Sequence, residues 1–210
     1  MRRAGSSVRR FGPFGLALAL AASAGVARAV PAAEPGDMAL GSPTARVTVI
    51  EYASVGCPHC ADWNNQIFPS IRTTYIATGK ARLVVREMLT GDGTLAAAGF
   101  MLARCAGPAK YFPVIDAIYR RQASMFEPGN APKPILRDIA RTVAGMSPAA
   151  VDACLADQKG LAAVNARNDR HLNVDKIDST PTFFVNGRRL ADELAPGDLA
   201  KALRAPGRRR

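Results

Sequence analysis

The chain has 210 residues, a length that accommodates one domain with room for a large insertion. Hydrophobic residues make up 48% and charged residues 21% of it, which argues against wholesale disorder. Four cysteines are too few for a scaffold held mainly by disulfides. The net charge of +11 is concentrated in the ends, 1–29 and 204–210. Residues 30–203 carry 19 basic and 17 acidic side chains, so we expect no nucleic-acid partner.

The N-terminus has the layout of a secretory signal. Four arginines within residues 2–10 precede an uncharged apolar stretch, 11–27, and an Ala-Arg-Ala sequence ends at Ala29. This order predicts a signal peptide over 1–29 that is cleaved after Ala29. The alternatives are an uncleaved anchor or a core helix, although the stretch is short and rich in Gly and Ala, which suits a membrane span poorly. We therefore expect an exported protein in a compartment where disulfides persist.

The next elements predict a strand–helix–strand unit. Residues 30–45 are rich in Pro, Ala and Gly and are interpreted as an N-terminal leader segment. Residues 46–53 and 81–87 are β-branched and apolar, and each predicts a strand. Between them a helix is predicted to begin near Cys57, with a kink at Pro69. Because the connection is strand, helix, strand, the two strands should be parallel with a right-handed crossover.

The rest of the chain predicts a block of helices and then a hairpin. Apolar residues recur at helical spacing in five segments between about 92 and 173, and Gly- and Pro-containing pairs separate them. An aromatic strand follows at 181–185, Asn186-Gly187 forms a hairpin turn, and a last helix is predicted over 196–203. The fold class is therefore α/β, a small mixed sheet with a helical insertion between the second strand and the aromatic strand.

The motif with the clearest chemistry is Cys57-Pro58-His59-Cys60, which follows a strand and opens a helix. Two cysteines at this spacing either form a disulfide or lie reduced side by side. The helix start favours an anion at Cys57, and His59 adds a donor or a positive charge, so the pKa of Cys57 should be lowered. A stabilised thiolate stabilises the reduced form, which makes the disulfide oxidising. Cys60, one turn into the helix, is predicted to be the buried resolving thiol.

The same cysteine spacing also suits zinc, but a closed zinc site needs two further ligands. Cys105 and Cys154 form no second close pair in the sequence, and His171 is the only other histidine. We expect no metal. The alternative from a different class of function is a periplasmic metal-binding module that uses the two motif cysteines and His59 for copper or zinc.

These features together resemble the DsbA-type thiol:disulfide oxidoreductases of the bacterial periplasm, which have a thioredoxin fold. The resemblance rests on the helical insertion and on three stretches of sequence, Val49-Ile50-Glu51-Tyr52, Cys57-Pro58-His59-Cys60 and Ser179-Thr180-Pro181-Thr182-Phe183-Phe184-Val185-Asn186-Gly187. The Pro-His pair between the cysteines matches the DsbA type. The resemblance implies a periplasmic protein with a DsbA-like thioredoxin domain over 46–204, followed by a basic tail over 205–210.

The resemblance also assigns further site residues. It implies a cis Thr180–Pro181 bond that faces the cysteine pair and exposes the Thr180 backbone to a client peptide; the alternative is an ordinary trans proline. It implies that Glu51 is a buried acid beneath the disulfide, whose raised pKa suits it to relay the proton of Cys60. The alternative for Glu51 is a strand carboxylate paired with a neighbour, for which Arg86 is the candidate.

Cys105 and Cys154 both lie in the predicted helical block. In an oxidising compartment, two leftover cysteines in one subdomain are most simply a structural disulfide. The alternative is two buried free thiols.

We expect an exported thiol oxidase that donates the Cys57–Cys60 disulfide to reduced or unfolded client proteins, with no cofactor besides that disulfide. The resemblance implies a DsbB-type membrane partner that reoxidises the pair. Thr180 stands where valine is commonest in DsbA proteins and resembles disulfide isomerases, so an isomerase or reductase is the alternative. Such proteins multimerise through an added N-terminal region. About sixteen residues between Ala29 and the first strand are too few for one, which favours an oxidase and a monomer.

Overall fold

The computed structural model describes residues 1, 33–190 and 197–204. The strands in these ranges are β1 (Met38–Leu40), β2 (Val47–Ala53), β3 (Ala81–Glu87), β4 (Thr182–Val185) and β5 (Arg188–Arg189). The helices are α1 (Pro58–Gln66), α2 (Phe68–Ile71), α3 (Gly93–Cys105), α4 (Pro108–Met125), α5 (Pro132–Ala144), α6 (Pro148–Ala156), α7 (Gln158–Asn173) and α8 (Asp198–Arg204), with a π-helical turn at Arg72–Ile76 after α2. The predicted signal peptide beyond Met1 and the predicted basic tail lie outside the described residues.

The described strands form one mixed sheet in the order β1-β3-β2-β4-β5. β2 and β3 run parallel, as predicted from the strand–helix–strand pattern. β4 is antiparallel to β2 and forms the predicted hairpin with β5 around Asn186-Gly187. The carboxyl ends of β2 and β3 therefore point to the same edge of the sheet, where the cysteine motif begins.

One strand lies where the sequence predicted a leader segment. Met38–Leu40 pairs antiparallel with β3 at the edge of the sheet. Glu34 and Asp37 attach the same segment to β3 through salt bridges of 3.5 Å and 3.2 Å to the buried guanidinium of Arg86. Residues of the predicted leader from Glu34 onward are thus part of the folded domain.

The helical insertion follows β3 and comprises the helices from Gly93 to Asn173. Side chains cap the N-termini of some of its helices. Asp92 accepts a hydrogen bond from the N–H of Leu95 at the start of α3, and Ser147 accepts one from the N–H of Ala150 at the start of α6. Proline occupies the first turn of α4, α5 and α6, where its missing N–H costs nothing. Among the described residues, no helix is long and apolar enough to cross a membrane.

Alternation along the strands divides the core between the two faces of the sheet. The larger cluster joins one face to the insertion and includes Val49, Leu83, Val85, Phe100 and Ile118. The smaller cluster covers the other face and includes Ile50, Tyr52, Val84, Ile177 and Phe184. The insertion therefore packs on the face that carries the odd-numbered residues of β2, a set that includes Glu51.

Candidate active site

The cysteine motif lies at the junction of β2 and α1. Cys57 is the residue before α1, in an extended conformation, and Pro58 takes the first helical position, where its fixed backbone suits a helix start. Both cysteines are free thiols. Cys57 is 7% exposed and Cys60 is 0% exposed, whereas Pro58 and His59 are exposed. The motif therefore presents one sulfur, that of Cys57, near the surface.

The two thiols have opposite electrostatic surroundings. A hydrogen bond from the Cys60 thiol, then bonds from the Thr180 side chain and from the N–H groups of Cys60 and His59, lower the pKa of Cys57 to about 5, although burial acts in the opposite direction. Burial raises the pKa of Cys60 well above its usual value, and the hydrogen bond to Cys57 and the charge of Glu51 add to that rise. At neutral pH the pair thus holds one thiolate and one thiol.

The segment before β4 lies directly against Cys57. The Thr180–Pro181 peptide bond is cis, and the Thr180 carbonyl oxygen lies 3.3 Å from the Cys57 sulfur. The hydroxyl of Thr180 pairs with that of Thr90, from the loop after β3. The structure thus brings Thr180 and Pro181 to the cysteine pair, although Thr180 and Cys57 are 123 residues apart in the chain.

The loop after β3 also packs closely against the turn before the motif. The N–H of Asp92 donates to the Gly56 carbonyl at 3.1 Å, and a Cβ at Gly91, whose φ is +70°, would meet that carbonyl at 2.1 Å. The Ser54 hydroxyl donates to the Thr90 carbonyl at 2.8 Å. Close backbone approach requires glycine here, and sequence analysis did not identify this loop as part of the site.

Glu51 lies in β2, is 3% exposed and is near enough to Cys60 for its charge to raise the pKa of that thiol. One of its oxygens, Oε1, has no hydrogen-bond partner among the described residues. Burial raises the pKa of Glu51 to about 8, because a carboxylate is poorly solvated in a low-dielectric interior. A carboxyl group with this pKa can hold or release a proton near neutral pH.

The alternative pairing of Glu51 with Arg86 is wrong. In the β2–β3 register Glu51 lies opposite Val85, and Tyr52 lies opposite Arg86. Because side chains alternate along a strand, Glu51 and Arg86 point to opposite faces of the sheet. Arg86 donates instead to the Tyr52 hydroxyl at 2.7 Å and forms a salt bridge of 3.6 Å with Asp175.

One side chain of the insertion contacts the motif directly. Gln122 in α4 is buried, and its amide donates to the Val55 carbonyl at 2.7 Å and the Cys57 carbonyl at 3.1 Å. Both carbonyls belong to the turn that precedes α1, so Gln122 fixes that turn from the helical side. Sequence analysis missed it, since a single polar residue in an amphipathic helix gives no local signal.

The second cysteine pair forms a disulfide between Cys105 and Cys154, with Cα atoms 6.2 Å apart. It links α3 to α6 within the insertion, and no thiol is left free there. Within the described part of the chain, no group of three or more His, Cys, Asp or Glu side chains is placed to hold a metal ion.

Comparison with known proteins agrees with this arrangement. The family model described as Thioredoxin matches residues 33–205. The protein named "Putative protein-disulfide oxidoreductase" of Rickettsia bellii is 34% identical over 154 residues, which cover 73% of this chain and 58% of that protein. A Rickettsia conorii protein of similar name is 36% identical, over 73% of this chain and 54% of that protein. The chain thus spans little more than half the length of these curated relatives.

Solved structures share the fold. Alpha-DsbA1 of Wolbachia pipientis superimposes with a TM-score of 0.73 at 23% identity, over 81% of this chain and 90% of that chain. BdbD of Bacillus subtilis gives a TM-score of 0.71 at 20% identity, over 80% of this chain and 91% of that chain. The sheet and its helical insertion are therefore the predicted thioredoxin fold with a DsbA-like insertion. The chain belongs to the thioredoxin family.

Proposed function

We propose that this protein is an exported thiol:disulfide oxidase that donates the Cys57–Cys60 disulfide to folding client proteins. The observation that carries the proposal is the opposed pair of pKa shifts, to about 5 at Cys57 and upward at Cys60. A thiolate that is stabilised at Cys57 stabilises the reduced protein relative to the disulfide. The disulfide then has a strong tendency to pass to another dithiol.

The burial of the two sulfurs determines the order of the steps. A client thiolate reaches Cys57, attacks its sulfur and forms a mixed disulfide, while the Cys57–Cys60 bond breaks and Cys60 leaves as a thiolate. Neutral Glu51 supplies the proton that Cys60 takes up. A second client thiolate then attacks the client sulfur of the mixed disulfide, and Cys57 leaves as a stabilised thiolate. The client loses two electrons, and the cysteine pair gains them.

Thr180 and Pro181 are proposed to bind the client chain. The Thr180 carbonyl oxygen lies 3.3 Å from the Cys57 sulfur. Pro181 has no backbone N–H, so it cannot donate a hydrogen bond to a neighbouring strand of this protein. An extended client segment can pair with this backbone while its cysteine reaches Cys57. Main-chain recognition of this kind suits clients of unrelated sequence. The exposed Pro58 and His59 complete the surface around the reacting sulfur.

Export and reoxidation belong to the same proposal. The N-terminal residues predict a secretory signal, and the disulfide between Cys105 and Cys154 is typical of proteins in oxidising compartments. A DsbB-type membrane partner would withdraw two electrons from the reduced pair and restore the disulfide. We propose that the protein works as a monomer with no cofactor besides its own cysteines.

The deciding experiment measures the reduction potential of Cys57–Cys60 against glutathione, together with oxidation of a reduced model substrate. We expect a potential well above that of thioredoxin, about −270 mV, and catalytic oxidation of the substrate. Alkylation of Cys57 should report its thiolate with a midpoint near the pKa of about 5. A Cys57→Ser variant is the control for background oxidation.

The result that would reject an oxidase is a thioredoxin-like potential without oxidase activity. Efficient reshuffling of a scrambled substrate by the reduced protein would instead favour the isomerase alternative. Metal analysis of the protein purified without a tag tests the metal-binding alternative. Stoichiometric copper or zinc that is lost on Cys57→Ser would support that alternative.

A further inference from the structure

Two buried polar atoms near the cysteine pair have no hydrogen-bond partner among the described residues, Glu51 Oε1 and the hydroxyl of Tyr119. Tyr119 lies in α4 and is 4% exposed. Both residues line the same cavity, whose volume is about 20 Å³. On this measure about 10–15 Å³ is enough for one water molecule. The cavity therefore has the size and the polar groups that a single bound water requires.

The cavity also has a polar side that leads to the surface. Asn64 and Asp116 line it together with Glu51 and Tyr119. The Asn64 amide donates to Asp116 Oδ1 at 3.1 Å, and the side chain of Asp116 is 30% exposed. Asp116 Oδ2 also accepts from Arg120 at 3.0 Å. A partly exposed, ion-paired carboxylate thus stands at one side of the cavity and the buried carboxyl group of Glu51 at another.

We propose that a water molecule in this cavity bridges the Glu51 carboxyl group and the Tyr119 hydroxyl, and that protons leave and reach Glu51 through it toward Asp116. Tyr119 is then a positioning residue, because it acts through the water and touches neither sulfur. The inference rests on the proposed function in one respect, the role of Glu51 as the proton relay for Cys60.

The surroundings of Tyr119 suit this task. Burial raises the pKa of Tyr119 well above its ordinary value, and the charges of Cys60 and Glu51 add to that rise. The hydroxyl consequently stays protonated throughout the working pH range. It can donate one hydrogen bond and accept another, so it orients the water without itself ionising.

The proton balance can be followed during formation of the disulfide. When Cys60 attacks a mixed disulfide on Cys57, its proton moves to the Glu51 carboxylate. The Cys57–Cys60 bond forms, the bond from Cys57 to the partner sulfur breaks, and the partner leaves as a thiolate. Glu51 then passes the proton to the water, which releases one of its own protons toward Asp116. Reduction runs the same transfers in the opposite direction.

The test is Tyr119→Phe, with Tyr111→Phe as the matched control. Tyr111 lies in the same helix and is equally buried, but its hydroxyl donates to Glu87 Oε1 at 3.0 Å. The first readout is the infrared C=O band of protonated Glu51 in the reduced protein, assigned by its absence in Glu51→Gln. We expect Tyr119→Phe to shift this band to higher wavenumber, since the carboxyl group loses an ordered hydrogen-bond partner. Tyr111→Phe should leave it in place.

The second readout is the pH profile of thiol exchange at the cysteine pair. Tyr119→Phe should slow exchange about tenfold near neutral pH, and Tyr111→Phe should not. This effect is smaller than the roughly 10²-fold or more that loss of a proton-transfer group itself costs, because Tyr119 only positions the water. Asp116→Asn, which keeps the shape of the side chain but removes the carboxylate that can take up a proton, should slow exchange in the same pH range.

An unshifted Glu51 band in folded Tyr119→Phe would overturn the bridging water, whatever the rates. If Tyr119→Phe and Asp116→Asn both exchanged at the wild-type rate across the pH range, the proposed proton route from Glu51 to Asp116 would be wrong. Failure of the relay itself has a different signature, because Glu51→Gln would then exchange at the wild-type rate. These results separate the further inference from the proposed function.

Discussion

Two glutamates are buried on neighbouring strands, and their partners differ completely. Glu87 in β3 is 1% exposed and accepts from the Arg104 guanidinium at 2.6 Å, the Arg167 guanidinium at 2.8 Å and the Tyr111 hydroxyl at 3.0 Å. Glu51 in β2 is 3% exposed, and its Oε1 has no partner in the described part of the chain. The same residue type, at nearly the same depth, is saturated at one site and unpaired at the other.

The difference shows how counter-charges decide what a buried carboxyl group does. Two guanidinium groups compensate a negative charge at Glu87, so it can join β3 to α3 and α7 as an ion pair. No guanidinium of the described residues bonds to Glu51, and burial therefore favours its neutral form. Glu87 contributes to holding the insertion on the sheet, whereas Glu51 is available for proton transfer.

The largest effect should come from neutralising the structural glutamate. Glu87→Gln leaves Arg104 and Arg167 without their counter-charge, and we expect the free energy of unfolding to fall by about 3 kcal/mol. Urea titration of the oxidised protein measures it. Exchange by the folded fraction should stay at the wild-type rate, and a loss of exchange without a loss of stability would erase the distinction between the two sites.

Glu51→Gln should have the opposite profile. We expect thiol exchange to slow by about 10²-fold, or about 2.7 kcal/mol in the barrier, because general acid–base transfer at Cys60 is removed. Stopped-flow reduction of the cysteine pair measures the rate. The free energy of unfolding near pH 5 should change by less than about 0.5 kcal/mol, since glutamine mimics the neutral carboxyl group. A large loss of stability at that pH would mean that Glu51, too, is structural.

The pH dependence of stability should separate wild type from Glu51→Gln. The pKa of Glu51 is about 8 in the folded protein and about 4.3 when unfolded, so the folded state holds the proton more tightly. Its contribution is fully present below about pH 4 and is lost as the pH rises through about 8. Glu51→Gln has no titrating group at this position, so it does not lose this stability as the pH rises. Between pH 5 and 8 the reduced variant should gain about 3.5 kcal/mol relative to reduced wild type, in paired urea titrations. If the free energies of unfolding of wild type and Glu51→Gln changed with pH in parallel, the pKa of Glu51 would not be raised in the folded protein.

The smallest effect should separate the two tyrosines of α4. Tyr111→Phe removes a hydrogen bond to a buried charged group and should cost about 1–2 kcal/mol, whereas Tyr119→Phe should cost less than about 0.5 kcal/mol. Thermal unfolding of the two variants side by side measures the difference. If both variants lost the same free energy of unfolding, the contrast between the fully hydrogen-bonded Glu87 and the unpaired Glu51 would be wrong.

The sequence predicted the parts of the site whose signals are local. The spacing of the two cysteines identifies the motif Cys57-Pro58-His59-Cys60. The residue types Asn186-Gly187 indicate the hairpin turn. Glu51 and the cis bond at Thr180–Pro181 followed from resemblance. These features depend on short stretches of chain, where residue type alone restricts the backbone.

The features that escaped prediction depend on contacts between distant segments. Gln122 lies 65 residues from the Cys57 carbonyl that it contacts, and Tyr119 is separated from Glu51 by the whole of β3 and α3. The suggested pairing of Glu51 with Arg86 was wrong because it requires the β2–β3 register, which sequence alone does not give. The strand at Met38–Leu40 was missed because three residues between Pro- and Gly-rich stretches show no periodicity.

The short outer strands bear on the proposed action of this protein on unfolded client chains. Within the described residues the sheet ends in β1, three residues long, and in β5, two exposed arginines. Long, flat edges recruit foreign strands and seed aggregation, and shortness and positive charge are ways to prevent it. An unfolded client has many backbone N–H and C=O groups without partners. Neither edge of this sheet offers such a client a long strand to pair with. If the protein acts on unfolded clients as proposed, its sheet would not nucleate aggregation of those clients.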